Sequence, residues 1–211
     1  MHKLCDIIID KNNAPWFTPE EKDQFIQLAE LEFVKEKVIS YEVDEKGRKD
    51  ILTLVRKYTG TNVSSLNLDN AANFNNLMYI VQVIGKWPNP CDSDELREEP
   101  IAPVQLDDEA ELKKDPFFGL TDEMSGYIET YENGYRELIV KSETTPLEIM
   151  VRYIKKPRLV LNDVNTPANN IDSELPEHVH EEIVNIATRK MLGSIHEQFQ
   201  YQVQQNEENQ T

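Results

Sequence analysis

The segment "FTPEEKDQFIQLAELEFVKEKVISY" (Phe17–Tyr41) constrains the chain more than any other stretch. Thr18 reads as a helix N-cap and Pro19 as the first helical residue, where its missing N–H costs nothing. Glu21 completes a capping box. From there Phe25, Leu28, Leu31, Val34, Val38 and Tyr41 follow at steps of three and four residues, and Ile26, Ala29 and Phe33 widen the stripe. An apolar surface this broad predicts a helix packed on two sides, or against a neighbouring subunit.

"DEKGRKDILTLVRKYTG" reads as a second, shorter helix with Ile51, Leu52 and Val55 as its apolar positions and Gly60 just past its end. The intervening loop is short, so a helix hairpin is expected. Thr61–Asn76 holds six asparagines, which favour turns, and reads as loop. Leu77–Trp87 is apolar on both alternating faces, as in a strand covered on both sides. "CDSDELREEP" reads as an exposed acidic loop between prolines. "VQLDDEAELKKDPF" reads as a short helix at about 105–115, acids first and lysines last.

A strand-rich region follows. Tyr127–Tyr131 and Arg136–Lys141 alternate about Asn133-Gly134, the dipeptide suited to a type I′ hairpin turn. Ile149, Val151 and Tyr153 mark a third run. With Leu77–Trp87 these predict a small antiparallel sheet of about four strands. After a polar linker, Val179, Ile183, Ala187, Met191, Ile195, Phe199 and Val203 repeat every four residues along a helix from about Pro176 to about Gln205. The expected class is therefore α+β. Residues 18–60 and 175–205 form a helical bundle, 77–160 form an inserted antiparallel sheet, and 206–211 form a fraying tail.

Composition narrows the function. The formal charge is −17, from 39 acidic and 22 basic residues, so a broad nucleic-acid-binding face is not expected. Two distant cysteines, Cys5 and Cys91, fit a reducing compartment better than a disulfide framework. No apolar run reaches the roughly 20 residues of a membrane span. The start "MHKLCDIIIDKNN" is not a signal peptide. A soluble, intracellular protein is the expectation.

Catalytic signals are weak. In "ELPEHVHEEIVNIATRKML", His178 and His180 lie about 200° apart on a helix and cannot share a metal there. "HEEIV" and "HEQFQ" both lack the second histidine of a zinc-protease motif. The simpler reading is a first helical turn facing solvent. Asp92, Asp94 and Glu95, and Asp107, Asp108 and Glu109, lack calcium-loop spacing. Cys91 has no basic neighbour, and there is no phosphate-binding glycine loop. Arg48, Lys49, Arg56 and Lys57 form the clearest basic cluster, either a contact for nucleic acid or an acidic partner, or a solvated helix face that balances acidic neighbours. The aromatics Trp16, Phe17, Trp87, Phe117, Phe118 and Tyr135 flank loops, as interface anchors or as caps on a core. No catalytic, cofactor or metal residue is assigned.

Four segments together resemble a known family: "TPEEKDQFIQLAELEFVKEKV", "APVQLDDEAELKKDPFFGL", "MVRYIKKPRLVL" and "SELPEHVHEEIVNIATRKML". They are similar to head-to-tail connectors of tailed bacteriophages, most of all to the ring (adaptor) proteins of crAss-like phages, over about Thr18–Gln205. The resemblance implies a non-enzymatic virion subunit, in twelve copies, in the neck between capsid and tail. It would touch the portal protein, other ring or tail proteins and further copies of itself. DNA would pass through the channel without sequence-specific binding, and no membrane would be involved. The segment Leu175–Gln205 would take the role of reaching onto the portal. Assembly would occur in the host cytoplasm. Interface candidates are Phe25, Leu28 and Leu31, the hairpin tip Asn133 and Gly134, and Ile195, Phe199, Tyr201 and Val203. Two readings stand beside it: an acidic intracellular protein that occupies a basic partner surface, and a metal-dependent hydrolase using His178, His180 and His196.

Overall fold

The computed structural model describes residues 1–11, 17–41, 44–61, 63–70, 72–74, 76–89, 95–109, 120–132, 134–162 and 166–208, with the backbone alone at 10, 11, 132 and 196–208. The chain divides into a helical unit, Met1–Leu54 with Pro157–Thr211, and a strand unit, Val55–Lys156.

The helical unit holds α1 (His2–Lys11), α2 (Pro19–Ile39), α3 (Glu45–Asp50) and α4 (His180–Glu208). Local chemistry sets their ends. Thr18 Oγ1 accepts from Glu21 N–H at 3.2 Å while Glu21 Oε2 accepts from Thr18 N–H at 2.8 Å, the reciprocal cap that starts α2. Asp44 accepts from the N–H groups of Lys46 and Gly47 and starts α3. A single 3-10 turn, Glu177–Val179, leads into α4. Val179 of that turn and Ile183, Ala187 and Met191 of α4 are all buried. The buried face of α2 consists of Ile26, Ala29, Phe33 and Val34 together with Lys22, Asp23 and Glu30.

The strand unit corrects the expected fold. It is no small four-stranded sheet but a seven-stranded mixed sheet, curled into a nearly closed barrel, and it dominates the molecule. The strands are β1 (Val55–Thr61), β2 (Ser65–Asn67), β3 (Leu77–Pro88), β4 (Leu96–Pro103), β5 (Gly126–Glu132), β6 (Tyr135–Lys141) and β7 (Glu148–Lys155). Their order is β1-β7-β3-β4-β5-β6-β2. All pairs are antiparallel except β4 with β5, which meet in parallel only at Ala102/Gly126 and Pro103/Tyr127. The two outermost strands, β1 and β2, are consecutive in the chain. Two register shifts in β3, at Leu77/Tyr79 and Ile80/Gln82, bend the longest strand as curvature requires.

Three readings failed here, each for a physical reason. The second helix ends at Asp50. After one 3-10 turn, Val55–Thr61 pairs residue for residue with Glu148–Ile154, and strand-favouring Val55, Tyr58, Thr59 and Thr61 outweigh the helical pattern before them. The asparagine-rich loop contains β2, three residues long. Around it Asn67 and Asn70 bond the backbone N–H groups of Asp69 and Ala72, the turn chemistry that was expected. The second half of the acidic loop belongs to β4, whose Glu98 is paired across to β3. Lys86 lies 3.1 Å from both Glu98 and Glu148, and these hydrogen bonds raise its pKa above the usual lysine value. Of the helix expected at 105–115, a single 3-10 turn (Leu106–Asp108) is described, and 110–119 lie outside the described residues.

The barrel interior is filled by Leu66, Phe74, Val83, Trp87, Ile101, Tyr127, Leu138, Val140, Ile149, Val151 and Tyr153, with Leu68 beside them. Trp87 is buried and its indole N–H donates to the Thr144 carbonyl at 3.1 Å. It is a core residue, which removes it from the interface aromatics.

Candidate functional site

The most organised polar arrangement lies on the buried face of α2. Asp23, Glu30 and Lys37 recur every seven residues, close to two helical turns, and so stack along one side. Each meets a different segment of the helical unit.

Asp23 is buried. His2 Nε2 lies 2.7 Å from its Oδ1, and the backbone N–H of Asn162 donates to its Oδ2 at 2.9 Å. Beside it Lys22, also buried, pairs with Asp6. This end of α2 therefore holds α1 and the chain returning from the barrel.

Lys37 closes the other end. Its ammonium lies 3.2 Å from Glu182 on α4 and 3.7 Å from buried Asp50 at the end of α3. Burial opposes its charge but is outweighed by the hydrogen bond to Glu182 and the charges of Glu182 and Asp50. Lys37 thus titrates above the ordinary lysine range. His178 Nε2 contacts Asp50 Oδ1 at 2.9 Å. This corrects the reading of His178 as a purely solvent-facing residue: the ring is more than half exposed, yet its tip is committed to a buried carboxylate. His180 Nε2 lies 3.0 Å from the Leu175 carbonyl. The two histidines thus serve different partners, as their angular separation on a helix requires.

Glu30 sits between these ends and is 1% exposed. Ser173 hydrogen-bonds its carboxyl, while Oε1 has no partner among the described residues. Burial is the main cause that pushes its pKa up to about 7. The Ser173 bond works against the rise and nearby Glu174 adds to it. Sequence reasoning missed Asp23, Glu30, Lys37 and Asp50. The signal was present: three ionisable residues at seven-residue spacing recur along the face that also carries Ile26, Ala29, Phe33 and Val34.

The opposite side of α2 carries the expected interface candidates. Leu28, Leu31, Lys35 and Ile39 form one stripe about half a turn from the buried face. Leu28 is 53% and Ile39 86% exposed, and Leu31 is half-buried. Phe25 is half-buried, its ring edge-on to Phe17 at 5.7 Å. Gly134, at φ +85°, occupies the exposed tip of the β5–β6 hairpin beside Tyr131, while Asn133 lies outside the described residues. Ile195 is half-buried on α4. Phe199, Tyr201 and Val203 lie on the same helix, whose backbone alone is described there.

The other candidates do not converge. Arg48 lies over the Tyr41 ring at 5.7 Å and Lys49 pairs with Glu45 at 2.9 Å, while Arg56 and Lys57 belong to β1. The basic cluster of the sequence is therefore two separate pairs. Glu109 pairs with Lys141 at 2.9 Å. Cys5 is buried, which raises its pKa. Cys91, Asp92, Asp94, Trp16, Phe117 and Phe118 lie outside the described residues. Among the described residues no three His, Cys, Asp or Glu side chains assemble a metal site, and no helix is long and apolar enough to cross a membrane.

Two open clefts mark the helical unit. One, of about 530 Å³, is lined by Glu32, Glu36, His178, Glu181, Glu182 and Arg189, among others. The second, of about 630 Å³, is lined by residues including His2, Leu161, Ile171, Asp172, Ser173 and His180. Each mixes charged and apolar groups without a convergent set of reactive atoms. No protein-family model matches the chain, and no curated protein matches it.

Proposed function

We propose that this chain is a structural subunit of a connector ring that joins portal to tail in a tailed-phage virion and surrounds the DNA exit channel. The observation that carries the reading is the two-sided character of α2. One face is packed within the helical unit. The opposite stripe keeps Leu28 and Ile39 in solvent, with half-buried Leu31 and exposed Lys35 between them. Isolated exposed apolar residues are ordinary, but a stripe along one helix marks a contact surface. Copies set side by side around an axis would cover it, since head-to-tail contacts form a ring where the rotation between neighbours closes.

Two further features support the reading. α4 runs on past Met191, its last buried residue among those described, to Glu208, and so offers a helical arm to a neighbouring protein. The charge of −17 suits a passage for DNA, since a basic lining would hold phosphates.

Light scattering on the purified chain, alone and with a cognate portal, tests the proposal. A large, discrete oligomer or a portal-bound assembly is expected. A monodisperse monomer that stays monomeric with portal present overturns it.

A further inference from the structure

The geometry points to Glu30 as a proton-operated catch. In its neutral form it pins the segment Ser173–Leu175, the root of α4, against α2, and in its ionised form it loosens that segment. The inference stands apart from any ring and concerns how the helical unit holds its last helix.

The contrast along α2 carries it. Asp23 and Lys37, one step of seven residues to either side, have charged or N–H partners. Asp23 has His2 and the Asn162 N–H, and Lys37 has Glu182 and Asp50. Both are satisfied as ions. Glu30 lies in the same row, is more deeply buried than either, and meets no cation among the described residues. A hydroxyl is its one partner among the described residues, and Oε1 is left bare. A bare carboxylate oxygen in such a place is costly when charged, whereas a neutral carboxyl group places far less demand on its surroundings.

The other charged groups around it reinforce this. Glu174, next to Ser173, is a second carboxylate whose field opposes ionisation of Glu30. Glu174 is itself held in place by Arg158, whose backbone N–H donates to it at 3.1 Å and whose guanidinium lies 3.4 Å away. On α4, His180 holds the Leu175 carbonyl of the same segment. On α2, Asp23 and Lys37 are each about 10 Å away along the axis and already paired. Ionisation of Glu30 therefore adds a second negative charge near Glu174, and Arg158, the cation beside Glu174, is already engaged by it. The segment can relieve this by moving outward and admitting water. Glu30 titrates at about 7, so the change falls within a range that a cell or a medium crosses.

Hydrogen exchange of the amides in 157–162 and 166–176 of the whole chain tests the catch, with rates corrected for intrinsic pH dependence. Opening of this segment should rise by roughly 10–100-fold from pH 5 to pH 8 and level off above that, as a carboxyl with a raised closed-state pKa requires. Glu30→Gln should abolish the rise. Glu174→Gln should move its midpoint to lower pH, a shift that a purely structural role for Glu174 would not produce. Equal corrected protection at pH 5 and pH 8 in the unaltered chain overturns the proposal. So does a pH response that persists in Glu30→Gln and vanishes in His180→Gln, which would assign the catch to the histidine.

Discussion

His178 Nε2 stands 2.9 Å from Oδ1 of Asp50, a residue 2% exposed that ends α3. The contact joins residues 128 positions apart and, with Lys37, ties α2, α3 and α4 at one point. Asp50 is the member with no access to water. Lys37 keeps Glu182, and His178 keeps solvent. Asp50→Ala should therefore cost about 1–3 kcal/mol, below the usual loss for breaking a fully buried pair. His178→Ala should cost less than about 1 kcal/mol. Urea unfolding checks both; a midpoint unmoved by Asp50→Ala would show that the network adds nothing.

Gly85 and Trp87 share space inside the barrel. A Cβ at Gly85 would fall 2.2 Å from Trp87 Cη2, and the indole has no free volume because Trp87 is 1% exposed. Gly85→Ala should displace the ring, strain its bond to the Thr144 carbonyl and destabilise by about 1–3 kcal/mol. Gly193 on α4 is the contrast. A Cβ there meets nothing within 4 Å, so Gly193→Ala should stabilise by up to about 1 kcal/mol. Thermal unfolding of the two variants should shift in opposite directions.

What was legible in the sequence was local. The α2 cap rests on Thr18, Pro19 and Glu21 and needs no distant partner. The β5–β6 hairpin is signalled in the sequence by Asn133-Gly134, and in the structure Glu132 faces Tyr135 across the turn. What was not legible depended on pairing. Leu96–Pro103 is charged and contains two prolines, and reads as loop until Lys86 and Glu148 are set beside Glu98. Pro100 is tolerated because β4 gains a second neighbour only from Ala102 onward. β1 was hidden because Ile51, Leu52 and Val55 mimic a helical period, and its seven pairs with β7 lie nearly a hundred residues away. On α2, Ile26, Ala29 and Phe33 pack within the helical unit while Leu28 and Leu31 lie away from them, and periodicity alone does not say which of two apolar faces is packed at home.

Glu30 also leaves a mark on overall stability. Its carboxyl is pushed up to about 7 in the folded chain, against the ordinary glutamate value of about 4.5 when unfolded. Between these values the folded state binds more protons, so stability falls as pH rises from about 4.5 to about 7 and is flat beyond, as far as this group is concerned. The full span is up to about 3 kcal/mol. Other groups titrate in the same window, so the difference between the unaltered chain and Glu30→Gln isolates the effect. Urea midpoints measured from pH 5 to pH 8 should diverge steadily, with the variant more stable by about 1–3 kcal/mol at pH 8. Parallel curves would mean that Glu30 ionises as readily folded as unfolded.

The end of α4 separates stability from assembly. Val179, Ile183, Val184, Ala187 and Met191 bury the first part of the helix, and each large apolar side chain so placed contributes about 1.5–3 kcal/mol. Leu192 and Ile195 are already half-exposed, yet the helix continues to Glu208. The sequence puts Phe199, Tyr201 and Val203 on that extension. Deleting Gln198–Thr211 should therefore lower the unfolding midpoint by less than the equivalent of about 1 kcal/mol and leave the sheet signal in circular dichroism unchanged. The same deletion should reduce incorporation into particles or binding to portal at least tenfold, the loss of an anchoring contact of about 1.4 kcal/mol or more. If the truncated chain assembles as the full chain does, the arm is not a docking element. Assembly would then rest on the Leu28–Ile39 stripe, where Leu28→Glu with Ile39→Glu supplies the parallel measurement.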